Sequence, residues 1–183
     1  MINKKSGQVW VETVIYTLIA LVIIGMFIGF AKPKIEEIQD KAVVEQSVQM
    51  LEDINDIVLS MKQGGAGNQR IIDIGIKKGI LKFDPVQDQI IFELEGKYTY
   101  TEPGANGQPG NYINIGSVIA TTQKRGSISK VTLITNYTKD YDLTYQNTEE
   151  IKTLSSSPVP YSISVSNKGE NGNRTAIDIK VLQ

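Results

Sequence analysis

Nineteen consecutive residues, Thr13 to Ala31, carry no formal charge. At about 1.5 Å of rise per residue they make a helix roughly 28 Å long, the thickness of a bilayer's hydrocarbon core. A secretory signal peptide competes for this reading, but its apolar core is shorter, about 7–15 residues, and ends in a small-residue cleavage site. Here Ala31 runs directly into Lys32-Pro33-Lys34, so the segment reads as a retained anchor. Glu12 stands at its mouth, where an acid is costly unless something pairs with it. Lys4 and Lys5 favour an inside N-terminus, but Lys32, Lys34 and Lys41 flank the other end, so the count of cations gives no clear winner.

Beyond the anchor the pattern stays helical and becomes amphipathic. Pro33 lacks an N–H and is expected to kink the rod or restart it. Ile35, Ile38 and Ala42, then Val48, Leu51, Ile54, Val58 and Met61, recur at spacings of three or four. Seven acids and three bases lie from Lys34 to Lys62, which predicts a solvated acidic face. Gly64-Gly65-Ala66-Gly67-Asn68 then ends the helix, because such a run holds helical backbone poorly. The expectation is one helix, or a kinked pair, over 9–63.

After Asn68 the period changes to two. Strands are predicted over 70–76, 80–83, 89–94, 97–101, 112–122, 129–138, 141–146, 161–166 and 175–182, all rich in Ile, Val, Thr and Tyr. Turn residues fall between them. Alternation in Ile163-Ser164-Val165-Ser166 and Ile177-Asp178-Ile179-Lys180-Val181 predicts one buried and one wet face. The fold class is therefore α+β: a long N-terminal membrane or stalk helix, then an antiparallel β-sandwich-like or partly open barrel domain over 69–183. That polar β region favours an extracytoplasmic location, hence N-in, C-out.

Absent residue types narrow the chemistry. There is no His and no Cys, so the commonest general base, thiolate nucleophile and metal ligands are missing. Net charge is −1, which offers no basic field for nucleic acid. No cofactor and no enzymatic activity are expected. The glycine run is not a phosphate loop, since no Gly-Lys-Ser/Thr follows it. Asp84/Asp88 and Asp140/Asp142 suit turn chemistry better than calcium. Asn136-Tyr137-Thr138 and Asn173-Arg174-Thr175 meet the rule for N-glycosylation. Gly25 and Gly29 have the small-xxx-small spacing that lets membrane helices approach, or lets one bend.

The stretch Lys4-Lys5-Ser6-Gly7 followed by Gln8-Val9-Trp10-Val11-Glu12 resembles the class III signal of type IV pilins, in its archaeal form. Thr13 stands where that form often has an aromatic, and Trp10 where a small polar residue is common. The resemblance implies a basic leader (residues 1–7, with Lys4 and Lys5) cut by a prepilin peptidase between Gly7 and Gln8. It implies a mature helix over 8–63, with 9–31 forming the membrane and filament-core part and 34–63 an amphipathic stalk. Glu12 becomes an assembly contact, pairing with the new Gln8 amine of a neighbouring subunit; without that context, snorkelling to headgroups explains the acid equally well. Cyclisation of Gln8 to pyroglutamate would remove the cation.

Implied partners are further copies of the chain in a helical filament, an assembly ATPase and a membrane platform protein. The implied location is the cell membrane, single-pass, before assembly and a surface filament afterwards. The implied function is a structural pilus subunit serving adhesion. Two alternatives stand beside it: a minor pilin or membrane-anchored extracytoplasmic ligand-binding protein, and a membrane-tethered enzyme, for which the sequence shows no recognisable constellation of converging acids or Ser/Lys groups.

Overall fold

A computed structural model describes the backbone of residues 4–182 and the side chains of residues 9–182. Met1–Asn3, part of the expected leader, and Gln183 lie outside the described residues, as do the side chains of Lys4, Lys5 and Gln8.

One helix, α1, spans Lys4–Gly64, 61 residues and therefore roughly 90 Å. It runs unbroken through Pro33. Proline there deprives the Gly29 carbonyl of its i→i−4 donor, and Gly29 has no Cβ to resist the small local adjustment that this demands. Thr13 and Thr17 bond their hydroxyls back to the carbonyls of Val9 and Thr13, at 2.9 and 2.8 Å. Both polar groups are thereby satisfied inside an apolar stretch.

Only the C-terminal part of α1 is gripped by the rest of the chain. Asp40, Val44, Ser47, Leu51, Ile54, Val58 and Met61 are buried, at spacings of four and three that place them on one face. Each buried aliphatic there contributes roughly 1.5–3 kcal/mol. The predicted stripe is right from Leu51 to Met61, while Val48 is half-buried and Val44 joins the core. Ile35, Ile38 and Ala42 are exposed, with Ile38 at 66 %. The head begins to cover the helix only at Asp40, so the regular period of those residues has no partner within the chain.

The helix ends where expected. Gly65 and Gly67 take positive φ of 72° and 86°, open to glycine at little cost. Asn167 closes this end: its Nδ2 donates to the Met61 carbonyl at 2.8 Å, and its backbone exchanges hydrogen bonds with Gly67 and Asn68.

Among the described residues ten strands follow: β1 (Gln69–Ile74), β2 (Ile80–Asp84), β3 (Gln89–Gly96), β4 (Ile113–Ile115), β5 (Val118–Arg125), β6 (Ile128–Asn136), β7 (Tyr141–Tyr145), β8 (Lys152–Ser155), β9 (Tyr161–Asn171) and β10 (Arg174–Val181). They form a four-stranded sheet, β1-β9-β10-β7, and a six-stranded sheet, β4-β5-β6-β3-β2-β8. One core takes Val44 to Met61 from the helix, Phe83, Phe92 and Leu133 from the larger sheet, and Ile163 and Ile177 from the smaller. The α+β reading therefore holds.

The structure corrects several expectations of strand direction and extent. The two sheets themselves do not close into a barrel. At β7 the Leu143 N–H donates to the Asp88 carboxylate at 2.8 Å, so a side chain meets an edge donor that a further strand would have taken. The sheets are not wholly antiparallel either: β7 runs parallel to β10, Tyr141 opposite Thr175, because the chain visits the other sheet as β8 before returning. The expected strand over 97–101 forms no ladder. Its end amides go elsewhere, Lys97 N–H to Asp40 Oδ2 at 2.6 Å and Thr101 N–H to Thr122 Oγ1 at 2.9 Å. The expected strand over 112–122 is a hairpin, β4–β5, turning at Gly116 with φ of 57°. Strand β9 extends to Asn171, and β8 lacked enough alternation to be foreseen.

Candidate functional site

The clearest functional surface is the helix that projects from the head. From Val9 to Phe30 every described residue is exposed, including Trp10 at 71 % and Phe30 at 76 %. The apolar stretch has the length and composition to cross a membrane, and the head buries none of it. A helix about 10 Å wide and 28 Å long presents roughly 900 Å² of side surface. The largest apolar patch on an ordinary monomer is about 300–600 Å². At about 25 cal/mol per Å², leaving this rod in water forfeits roughly 20 kcal/mol, more than the net stability of a typical domain. The head offers no cover, and by length and composition the stretch could span a membrane.

The predicted site residues lie along or beside this rod. Glu12 is on the exposed helix, one turn after Gln8 and at the start of the charge-free run. Gly25 and Gly29 face open space, with nothing within 4 Å of where a Cβ would sit. Pro33 is exposed, between the apolar rod and the head. Gly7 and Gln8 fall within the helix by backbone. Asn136 and Asn173 are both exposed and distant in sequence from the rod, but their surroundings differ. The Asn136 Oδ1 accepts from the Thr138 N–H and hydroxyl, at 3.0 and 2.6 Å, in an exposed turn. Thr175, by contrast, is buried in β10, and Arg174 is drawn onto Asp88 and Asp142.

Three polar clasps hold the head on the helix, and none was foreseen. Asp40 is 2 % exposed; it accepts from the Lys97 backbone and pairs with Lys78. Gly96 packs so closely on this carboxylate that any Cβ would collide with it. Glu52 accepts from the N–H of Ser117 at 2.9 Å and holds the β4–β5 turn. Asn167 caps the helix end. The signal for Asp40 was present as an acid four residues before Val44 on the buried stripe. A buried acid predicts a cation, but its identity as Lys78 was not legible.

The acidic pairs serve turns and edges. Asp84 accepts from the Gln87 N–H at 3.1 Å, and Asp88 and Asp142 share Arg174. Bonding to Asp88 and Asp142 holds the Arg174 guanidinium's pKa above its ordinary value. Among the described residues no group of three His, Cys, Asp or Glu could hold a metal ion. On the outer face of the larger sheet, Glu93 lies between Lys130 at 2.8 Å and Lys82 at 3.2 Å. Burial opposes its ionisation, but hydrogen bonds and charge from Lys130 and then Lys82 prevail and hold it below the usual carboxylate range.

Fold and surface together define a class: a β-rich domain of two sheets carried on one long helix whose N-terminal half is apolar and exposed. No protein-family model, no curated protein and no solved structure matches it.

Proposed function

We propose that the chain is the structural subunit of a type IV pilus-like surface filament, held in the membrane through α1 until assembly. One observation carries this reading: a single unbroken helix is core to the head from Asp40 to Met61 and bare from Val9 to Phe30. A bitopic anchor needs only the apolar run. An amphipathic half fused to it without a linker gives a rigid rod, which passes from bilayer to bundle without refolding. In either place the apolar surface stays out of water. Contacts that repeat head to tail without closing produce a helical filament.

The basic leader, the Gly7–Gln8 junction and Glu12 support the same reading. A prepilin peptidase acts at Gly7–Gln8, and an assembly ATPase and membrane platform protein drive extrusion. The head lies outside, N-in and C-out, its two sheets arranged in sandwich-like fashion, and the filament serves adhesion. In the low-dielectric bundle, Glu12 meets the Gln8 amine of a neighbour and sets axial register.

Mass analysis of the filament fraction tests the route: the subunit is expected to begin at Gln8. An intact Met1 in that fraction, or filaments at normal yield from a processed Glu12→Ala variant, would refute it. Filaments made chiefly of another protein would point instead to a minor subunit or an anchored binding protein.

A further inference from the structure

The end of the head nearest the bare helix carries a charge pattern that the filament reading does not use. The β5–β6 hairpin tip is fixed there by register. Ser129 pairs with Gly96, which packs on Asp40, and Arg125 pairs with Ile128 one residue further out. At the other end of the same strands Glu52 holds Ser117, and β5 begins at Val118 opposite Thr135. Ser129 to Thr135 spans about 20 Å of strand and Asp40 to Glu52 about 18 Å of helix, so hairpin and helix run side by side. The tip therefore reaches roughly 5 Å past Asp40 toward the membrane end. Ala31, the last residue of the apolar run, lies roughly 14 Å from Asp40. That leaves about 9 Å between tip and hydrocarbon edge, against a headgroup layer of about 5–8 Å and a Debye length of about 8 Å.

Lys124 and Arg125 are exposed at this tip, beside Ile128 at 49 %. Lys97 joins them, its Nζ 3.5 Å from Ser127. Lys77 is exposed next to Lys78, whose partner Asp40 sets the same level. Among acids of this rim, Asp40 is held by Lys78 and Glu37 by Lys34 at 2.7 Å, while Glu36 and Glu95 stand against four cations.

The geometry points to a membrane-surface contact: before assembly, Lys77, Lys97, Lys124 and Arg125 rest on anionic lipid headgroups. The contact rests on the membrane-anchored reading above. It presets the tilt of the rod and the face of the head turned to the bilayer. Leaving the membrane then requires these cations to exchange lipid phosphates for water or for another partner.

The absence of cysteine makes the test clean. Ser127→Cys, Lys139→Cys and Phe27→Cys versions of the full chain each take one fluorophore and are placed in phosphatidylcholine vesicles with or without phosphatidylglycerol. A headgroup-borne quencher is expected to quench the Ser127 label when phosphatidylglycerol is present and to spare Lys139. Raised salt, or Lys124→Gln with Arg125→Gln, should reverse this, by about fivefold in the docked-to-undocked ratio per cation removed. Quenching indifferent to phosphatidylglycerol and salt overturns the proposal, as does quenching that follows protein density, which would assign the rim to the acidic helix face of a second copy. An acyl-chain quencher reads Phe27 separately. If Phe27 is quenched and Ser127 is not, only the rim contact falls; if Phe27 is not quenched, the membrane reading falls with it.

Discussion

Replacing Asp40 tests how the head is fastened to its rod. In the Asp40→Ala variant the Lys97 N–H loses its acceptor; the bond is part-buried and its acceptor is a carboxylate, and a hydrogen bond to a charged group is worth about 1.5–3 kcal/mol. The pairing with Lys78 is lost as well, but Lys78 is 49 % exposed, so solvent screening holds that loss to about 1 kcal/mol or less. Desolvating a carboxylate is itself unfavourable, and removing it returns part of the total. The net expectation is a destabilisation of about 1–3 kcal/mol. Asp40→Asn keeps an oxygen for the Lys97 N–H and should lose about half as much. Lys78→Ala should lose least. Urea unfolding in mild detergent, followed by tyrosine near-ultraviolet dichroism, gives the order, and hydrogen exchange at the Lys97 amide gives the site. An Asp40→Ala midpoint equal to that of the unaltered protein would refute the reasoning. An Asn variant as weak as the Ala variant would show that charge, not the backbone acceptor, holds the clasp.

Acid should loosen the outer face of the larger sheet. Glu93 has a lowered pKa, so its contribution is fully present above the usual glutamate range and is lost as pH falls through its own lower value. Glu93→Gln should flatten that part of the stability–pH curve, measured by thermal melts across the acid range. Tyr137 is 3 % exposed and its hydroxyl has no hydrogen-bond partner among the described residues; burial pushes its phenol pKa well up. Tyr137→Phe should therefore be neutral or stabilising by up to about 1 kcal/mol. Tyr137→Leu should be destabilising, because it also forfeits the edge-on contact with Tyr141, about 0.5–1.5 kcal/mol. If the chain is glycosylated, Asn136 should carry more glycan than Asn173 by glycopeptide mass spectrometry, since folding buries Thr175 and leaves Thr138 exposed.

Particular elements show where reading the chain stopped. Leu51, Ile54, Val58 and Met61 were legible because their three-and-four spacing is a property of the helix alone. Ile35 and Ile38 follow the same spacing and face nothing in the chain, since period reports a shared face and never its partner. Residues 97–101 alternate like a strand, yet their end amides bond to Asp40 and Thr122. Strand β8 is short and carries one buried apolar residue, Leu154, so its pairing with β2 supplies the order that its sequence barely signals. In the candidate site the bare apolar rod and Glu12 were plain from the residues. The clasps at Asp40, Glu52 and Asn167 were not, because each joins residues far apart in the chain.

By itself the sequence determined that a charge-free helix of membrane length leads the chain, that it continues as an amphipathic rod, and that period-two segments follow Asn68. These are local consequences of side-chain order, set by backbone geometry and the aversion of apolar surface to water. Only the tertiary structure decided where the head's grip begins, which strands pair, that β7 and β10 run parallel, and that basic turns gather at the end of the head nearest the bare helix. Those outcomes depend on which buried donors find acceptors and which faces meet across the fold. Such matches are non-local, and no window along the chain contains both halves of any of them.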